Sequence, residues 1–248
     1  MVYFGHLPKT ILPRRDGDVK LMIIIGMDDT DTATSRGTGA LARRVAAELA
    51  EDFSVLGVVR QQLLRDPRVP CTRNNSSKAV LLDERGPLDL SELARRVRQL
   101  MLADFQPGSD PGLCVVTNVP PEVIAFGTRV QRELVTQPEA RALASRCGIH
   151  LEGLGGDEMG VIGALAAVGL TAGGETGRYI EAGGLRSMSG AQPVAAVLAA
   201  GIAVLTEDGM PVTGGMVQTD GLRPARRGAL PVAVARLQDG IWLPLKLD

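Results

Sequence analysis

Apolar residues in the first half of the chain alternate between short runs and helical stripes. The β-branched run at residues 23–25, bounded by Gly26, predicts a buried strand. Apolar residues then recur at helical spacing over residues 38–51, which predicts an amphipathic helix. The two patterns repeat, and they predict strands at 54–60, 78–82 and 113–118 and a helix at 90–105. This order of elements predicts an α/β (α+β) fold with a mixed sheet.

The second half is richer in glycine and in short apolar pieces. Two short helices are predicted within residues 121–148, and a glycine-rich loop follows at 153–160. Further along, the pattern predicts helices at 161–168 and 191–200, a strand at 202–206, and β-prone pieces at 231–236 and 241–247. The last part of the chain is therefore expected to be a β-rich tail.

These patterns divide the chain into three parts. Residues 1–21 carry charges throughout and have no apolar core segment, so we interpret them as a leader that is not a signal peptide, with Met22 as an alternative start. Residues 22–206 are expected to form the main domain, in which 79–118 is a small excursion from the sheet. Residues 207–248 form the β-rich tail.

Composition narrows the function classes. The chain has 248 residues and a net charge of −1, which gives no global electrostatic reason to bind nucleic acid. Three cysteines without a CxxC pair and only two histidines argue against a cysteine-ligated zinc and against histidine chemistry. The odd cysteine count without a CxxC pair favours a reducing cytoplasm, and the apolar stretches are too short to span a bilayer, so we expect a cytoplasmic protein without a membrane partner.

Three carboxylates follow the first predicted strand within four residues, at Asp28, Asp29 and Asp31. Carboxylates this close raise one another's pKa unless a cation or backbone N–H groups compensate. Hard oxygen ligands beside a glycine-dotted helix start suit Mg²⁺ and a phosphate. An ordinary strand-exit loop in which an aspartate caps the next helix explains the residues equally well, and both interpretations stay open here.

The helix start after these carboxylates is built from small residues. Ser35, Gly37 and Gly39 allow the backbone to approach a ligand, and free N–H groups at a helix start attract phosphate. Thr38 sits at that start. It is either a plain cap or a hydroxyl that contacts phosphate.

Two more stretches are candidates for the same site. Residues 66–78 combine two prolines with a polar run that includes Thr72, Arg73 and Asn74, which offers donors to a phosphate or a base edge, although a solvated loop explains it nearly as well. Gly160 and Gly163 open the predicted helix at 161–168. They either cradle an anion or permit close helix packing, since the segment is neither a GxGxxG nor a Walker motif.

Taken together, these stretches resemble a known family. GMDDTD with Thr38 at the next helix start, DPRVPCTRNN, Asp110-Pro111-Gly112 before a strand, and MGVIGALAAVG are similar to motifs of the archaeal tRNA-isoleucine agmatinylcytidine synthetases, also called agmatidine synthetases. The resemblance runs in order from residue 23 to residue 169. GMDDTD and VIGALAAVG are its most specific pieces, and TRNN is looser.

The resemblance covers the kinase-like and ferredoxin-like catalytic part of that family. It implies ATP and Mg²⁺ as cofactors, activation of a cytidine carbonyl oxygen by phosphoryl transfer, and displacement by agmatine. It also implies phosphorylation of a threonine at the position of Thr38. The implied roles are catalytic for Asp28, Asp29 and Thr38, metal binding for Asp28, Asp29 and Asp31, and nucleotide binding for Asp31, Ser35, Gly37, Thr72, Arg73, Asn74, Gly160 and Gly163.

The sequence also departs from that family. The family continues into an oligonucleotide-binding barrel and a cysteine-rich zinc ribbon that grip tRNA, and we expect neither here. Asn75, Ser76 and Ser77 replace glycines typical of the family, and Gly39 stands where it tends to carry a second threonine. The resemblance therefore supports nucleotide binding by this chain better than it supports tRNA modification.

The leading hypothesis is an ATP- and Mg²⁺-dependent ligase or phosphotransferase that activates an oxygen of a small molecule or of RNA. The alternatives are a non-catalytic nucleotide-sensing module and the catalytic subunit of a tRNA cytidine-modifying complex. A thiol enzyme based on Cys71 ranks below these, because no histidine lies nearby in the sequence.

Overall fold

A computed structural model describes residues 22–247. The described chain divides into two compact units, residues 22–173 and residues 174–247. The break at Gly173 lies earlier than the expected limit of the main domain at residue 206. No helix among the described residues has both the length and the apolar character needed to cross a bilayer.

Within the part of the chain that the structure describes, residues 22–173 form five strands and five helices. In chain order they are β1 (Met22–Asp28), α1 (Thr38–Leu49), β2 (Ser54–Gln62), β3 (Ser76–Asp83), α2 (Leu90–Leu102), β4 (Gly112–Val116), α3 (Pro121–Val130), α4 (Gln137–Arg146), β5 (His150–Gly153) and α5 (Gly160–Gly173). The strands form a sheet in the order β5-β4-β1-β3-β2, in which all neighbours are antiparallel. The α+β fold class is confirmed.

The first six of these elements follow the ferredoxin-like βαββαβ pattern, with sheet order 4-1-3-2. This corrects the expectation that residues 79–118 form an excursion from the sheet. β3 is a central strand because it pairs with β1 on one side and β2 on the other, and β4 covers the second side of β1. The ferredoxin-like unit therefore begins at β1.

Helix α5 lies under the middle of this sheet. Ile24, Ala79 and Cys114 pack with it in a core that also includes α3 and α4. Small residues let the helix approach closely, since a methyl group on Gly26 would lie 2.1 Å from the carbonyl oxygen of Ala164. Helices α1 and α2 contact each other and pack on the other face of the sheet. The end of β1 is thereby held between two layers of helix.

Residues 174–247 are dominated by short strands. They contain β6 (Arg178–Glu181), β7 (Ala191–Pro193), α6 (Val194–Ala199), β8 (Ala203–Leu205), β9 (Met216–Gln218), β10 (Ala225–Arg227), β11 (Leu230–Gln238) and β12 (Ile241–Pro244), with a short 3₁₀ turn at Leu185–Ser187. The strands follow the order β6-β10-β11-β12-β9-β7, and β8 runs parallel to β11. The helix predicted at 191–200 begins only at Val194, because residues 191–193 pair with β9 instead.

Candidate functional site

A cleft of about 760 Å³ opens at the end of β1 within residues 22–173. Ten of the eleven residues that the sequence predicts for the site line it: Asp28, Asp29, Asp31, Gly37, Thr38, Thr72, Arg73, Asn74, Gly160 and Gly163. Ser35 does not. Its Oγ accepts a hydrogen bond from the Thr32 N–H at 2.8 Å and shapes the loop before α1.

Asp28 is the last residue of β1, and α5 confines its side chain. A methyl group on Gly163 would lie 1.7 Å from Asp28 Oδ2. Loss of water around the carboxylate raises the pKa of Asp28 to about 7; Lys78 opposes this rise, and Asp29 and Asp31 add to it. Gly163 is therefore required for close packing, one of the two roles left open for it.

Asp29 adopts a left-handed backbone conformation, with φ of +51°. This is uncommon outside glycine, although aspartate tolerates it better than most residues. Desolvation raises the pKa of Asp29 to about 6, and the charges of Asp110 and Asp31 contribute. The turn thus places a second carboxylate in the cleft among others of the same charge.

Asp110 was not predicted as a site residue, and the pairing of strands explains its position. Asp28 lies opposite Gly112 in the β1–β4 ladder, so the residues before β4 meet the residues after β1. The Asp110 carboxylate accepts the Asp157 N–H at 2.7 Å, and its backbone oxygen accepts the Gly160 N–H at 2.9 Å. The motif Asp110-Pro111-Gly112 was the sequence feature that could have indicated Asp110 as a site residue. Only the register of β1 and β4 brings it to Asp29.

Asp31 binds the start of α1. Its Oδ1 accepts the Thr38 hydroxyl at 2.6 Å and the Thr38 backbone N–H at 3.1 Å. Gly37 precedes Thr38 as the N-cap residue and makes no side-chain cap. Asp31 therefore takes the place that an Asp or Ser cap next to the helix would normally fill.

The polar loop after β2 closes another side of the cleft. Thr72 Oγ1 donates to the backbone oxygen of Asp31 at 3.2 Å, while Arg73 and Asn74 are exposed at the cleft wall. Lys78, also missed as a site residue, is buried and donates to the backbone oxygen of Ser76 at 2.7 Å. The cleft is thus lined by cationic as well as anionic side chains, and the charge of Lys78 acts on Asp28.

Apolar side chains complete the cleft beside these charges. Leu63 and Leu64 come from the end of β2, Val130 closes α3, and Leu134 and Val135 lie in the loop that follows. Such a surface excludes water and suits a flat or aliphatic part of a ligand. No sequence motif identified this wall, because its residues are far apart in the chain.

Among residues 22–247, no three histidine, cysteine or acidic side chains converge as a metal-binding group. The predicted metal ligands Asp28, Asp29 and Asp31 do line one cleft, and the Asp31 oxygen nearest Thr38 is engaged there. Mg²⁺ in phosphoryl-transfer sites commonly uses one or two carboxylates with substrate phosphates and waters. The three-aspartate metal site stays a prediction.

Comparison with solved structures identifies similar folds. A complex of TiaS with an isoleucine tRNA and ATP shares 24% identity and a TM-score of 0.54. A complex of TiaS with the same tRNA, AMPCPP and agmatine shares 24% identity and a TM-score of 0.52. A tRNA fluorescent labeling enzyme shares 25% identity and a TM-score of 0.53. Each match covers 60% of this chain and 36% of the other, so the chain spans about a third of their length.

No protein-family model and no curated protein sequence matches the chain. At these identities the solved structures establish the fold alone. They nevertheless agree with the motif resemblance, because the apo structure of TiaS, a tRNA agmatidine synthetase, is also among the similar folds, with a TM-score of 0.50. The resemblance to agmatidine synthetases is thus confirmed at the level of the fold, over a part of the TiaS chain.

Proposed function

We propose that this chain is an ATP- and Mg²⁺-dependent phosphoryl-transfer enzyme related to the catalytic part of agmatidine synthetase. The cleft at the end of β1 binds the triphosphate, and Thr38 receives a phosphoryl group. The final acceptor is an oxygen of RNA or of a small molecule. An amine such as agmatine then displaces the activated oxygen, as in the ligase that the chain resembles.

One observation carries the proposal: a single cleft joins Asp28 and Asp29 to Thr38 at a helix start. Phosphoryl transfer depends mainly on positioning and on neutralising charge, so a cation site next to a hydroxyl meets its requirements. Arg73 and Lys78 line the same cleft and supply positive charge for phosphate oxygens. Complexes of TiaS with ATP and with AMPCPP add support from proteins of similar fold.

The residues present fit a magnesium ion. Burial and neighbouring acids raise the pKa values of Asp28 and Asp29, and Lys78 offsets this rise only in part at Asp28, so a bound cation would add charge compensation at both carboxylates. Two carboxylates suffice when phosphate oxygens and waters fill the other positions. When bound, the ion neutralises charge on the triphosphate.

The protein groups have separate tasks in this proposal. Asp28 and Asp29 hold the cation end of the cleft, and Arg73 and Lys78 orient phosphate oxygens. The apolar wall at Leu64 and Val135 keeps water from the reacting groups. Thr38 presents the nucleophilic hydroxyl.

The test is intact mass and phosphopeptide mapping after incubation with ATP and Mg²⁺. Wild type is compared with Thr38→Ala and Asp29→Ala, and with Thr128→Ala as a matched threonine on α3 outside the cleft. We expect phosphate on Thr38 in wild type and in Thr128→Ala, none in Thr38→Ala, and a loss of at least about 100-fold in Asp29→Ala. Wild type that gains no phosphate and no ATP-dependent rise in Tm contradicts the proposal.

The same samples separate an enzyme from a nucleotide sensor. A sensor gains Tm with ATP but transfers no phosphate to Thr38 or to any added acceptor. The acceptor is then sought by adding tRNA or agmatine to the phosphorylated protein. Loss of phosphate from Thr38 that depends on one of these additions identifies it.

A further inference from the structure

Asp31 makes a two-point contact with the residue that we propose to be phosphorylated. One oxygen, Oδ1, accepts both the Thr38 hydroxyl at 2.6 Å and the Thr38 backbone N–H at 3.1 Å. The second contact fixes the carboxylate relative to the helix, so the hydroxyl contact has a defined direction. The backbone of Asp31 is held in turn by the Thr72 hydroxyl.

Burial limits where the hydroxyl proton can go. Thr38 is only 3% exposed, so bulk water has little access to its Oγ1. The acceptor for its proton must therefore come from the protein or from the substrate. The side-chain hydrogen bond described for the Thr38 hydroxyl is the one to Asp31, and its 2.6 Å length is typical of a hydroxyl bonded to a carboxylate.

We propose that Asp31 is the catalytic base for phosphorylation of Thr38 rather than a ligand of the metal ion. Thr38 Oγ1 attacks the γ-phosphorus of ATP, and an O–P bond forms. The bond from the γ-phosphorus to its bridging oxygen breaks, and its electron pair leaves with ADP. The Thr38 hydroxyl proton passes to Asp31 Oδ1. This inference rests on the proposed function.

The assignment divides the acidic motif into two tasks. In the proposed function a cation would offset the charges of Asp28 and Asp29, whereas Asp31 accepts hydrogen bonds from the start of α1. The GMDDTD motif gives no indication of these separate roles, because all three carboxylates come at the end of one strand. The geometry separates them: Asp28 contacts the start of α5, and Asp31 contacts the start of α1.

Asp31→Asn is the decisive variant. The amide oxygen of asparagine still accepts both hydrogen bonds from Thr38, so α1 keeps its cap, but the amide cannot take a proton. The matched control is Asp89→Asn, since Asp89 caps α2 in the same way through the N–H groups of Ser91 and Glu92, outside the cleft. The measurement is the rate of Thr38 phosphorylation as a function of ATP at saturating Mg²⁺, with Tm as the check on folding.

We expect Asp31→Asn to lower the maximal rate by about 100-fold or more, the usual contribution of a positioned base. The ATP concentration at half-saturation and the ATP-induced rise in Tm are expected to stay within about twofold of wild type. Asp89→Asn is expected to match wild type in both rate and half-saturation.

Four results overturn the inference. An unchanged maximal rate makes Asp31 a helix cap only. A large rise in the ATP or Mg²⁺ concentration at half-saturation, with the maximal rate retained, makes it a metal ligand. Wild type that binds ATP but carries no phosphate on Thr38 removes the step itself, whereas wild type without an ATP-dependent rise in Tm refutes the proposed function as well.

Discussion

The candidate site within residues 22–173 differs from the turns of residues 174–247 in its use of glycine, and the two units differ in how they compensate a desolvated charge. In the first, Gly112, Gly160 and Gly163 let backbone elements meet around the carboxylates, and an added methyl group would lie under 2.5 Å from a neighbouring atom at each. In the second, Gly209 and Gly221 occupy left-handed turns with open space around them. Glycine serves close packing at the first three positions and chain reversal at the last two.

The two units also differ in how the protein compensates a charge that has lost contact with water. Asp28 loses water without full compensation, which is costly for folding. Arg226 in the second unit is buried, whereas Asp28 is half-buried, and the Arg226 guanidinium donates to the Tyr179 hydroxyl and to the Ala229 carbonyl. Incompletely compensated charge is thus a property of the candidate site, where a ligand can supply further compensation.

The largest expected effect is on the pH dependence of stability in the first unit. The pKa of Asp28 rises from 3.8 to about 7 on folding, so the folded protein holds this proton more tightly than the unfolded chain. The associated stability is fully present below about pH 4 and is lost as pH rises toward 7, on the order of a few kcal/mol. Asp28→Asn removes this loss.

Urea unfolding of wild type and Asp28→Asn between pH 4 and 8 checks this expectation. The variant is expected to exceed wild type in stability most at pH 8 and to show a shallower decline, of which the part caused by the raised pKa of Asp29 remains. Parallel curves for the two proteins mean that Asp28 is compensated in the folded state and that the two units do not differ in this respect.

A smaller effect on stability is expected when a methyl group is added where β4 and α5 approach each other closely. A methyl group on Gly112 would lie 2.1 Å from the backbone carbon of Gly160, and backbone cannot yield as a side-chain tip can. Gly112→Ala is therefore expected to lower the free energy of unfolding by about 1–3 kcal/mol.

The matched control lies in the other unit. Gly214 has nothing within 4 Å of its added carbon and no left-handed backbone, so Gly214→Ala is expected to be neutral or slightly stabilising. Thermal unfolding of both variants beside wild type gives the comparison. Equal losses of Tm would mean that close packing is not special to the cleft.

The smallest effect on stability is expected when Arg226, the compensated charge of the second unit, is replaced. Arg226→Met keeps most of the side-chain volume and removes the hydrogen bonds to Tyr179 and to the Ala229 carbonyl, and Tyr179 can still donate to Ala229, to which it lies at 3.4 Å. We expect a loss of about 1 kcal/mol. Arg236→Ala, which breaks an exposed ion pair with Glu207, is the control and is expected to leave Tm unchanged. A loss above about 3 kcal/mol for Arg226→Met would mean that this buried charge is as critical as those in the cleft.

Much of the first unit was predictable because its elements are locally encoded. The stripe that includes Leu41, Val45 and Leu49 is buried as expected, and α1 begins at Thr38 as predicted. The β-branched run at 23–25 is the centre of β1. Strand β5 was missed because its four residues carry no alternation; it forms by pairing with β4.

The sequence by itself determined the longer elements of the first unit, the acidic motif and the glycine-rich helix, because these depend on residues close together in the chain. Tertiary structure decided which polar groups meet. The antiparallel register of β1 and β4 brings Asp110 to Asp29, and the loop before α1 folds back so that Asp31 reaches Thr38. Register and loop closure depend on contacts between distant residues, so no local pattern specifies them.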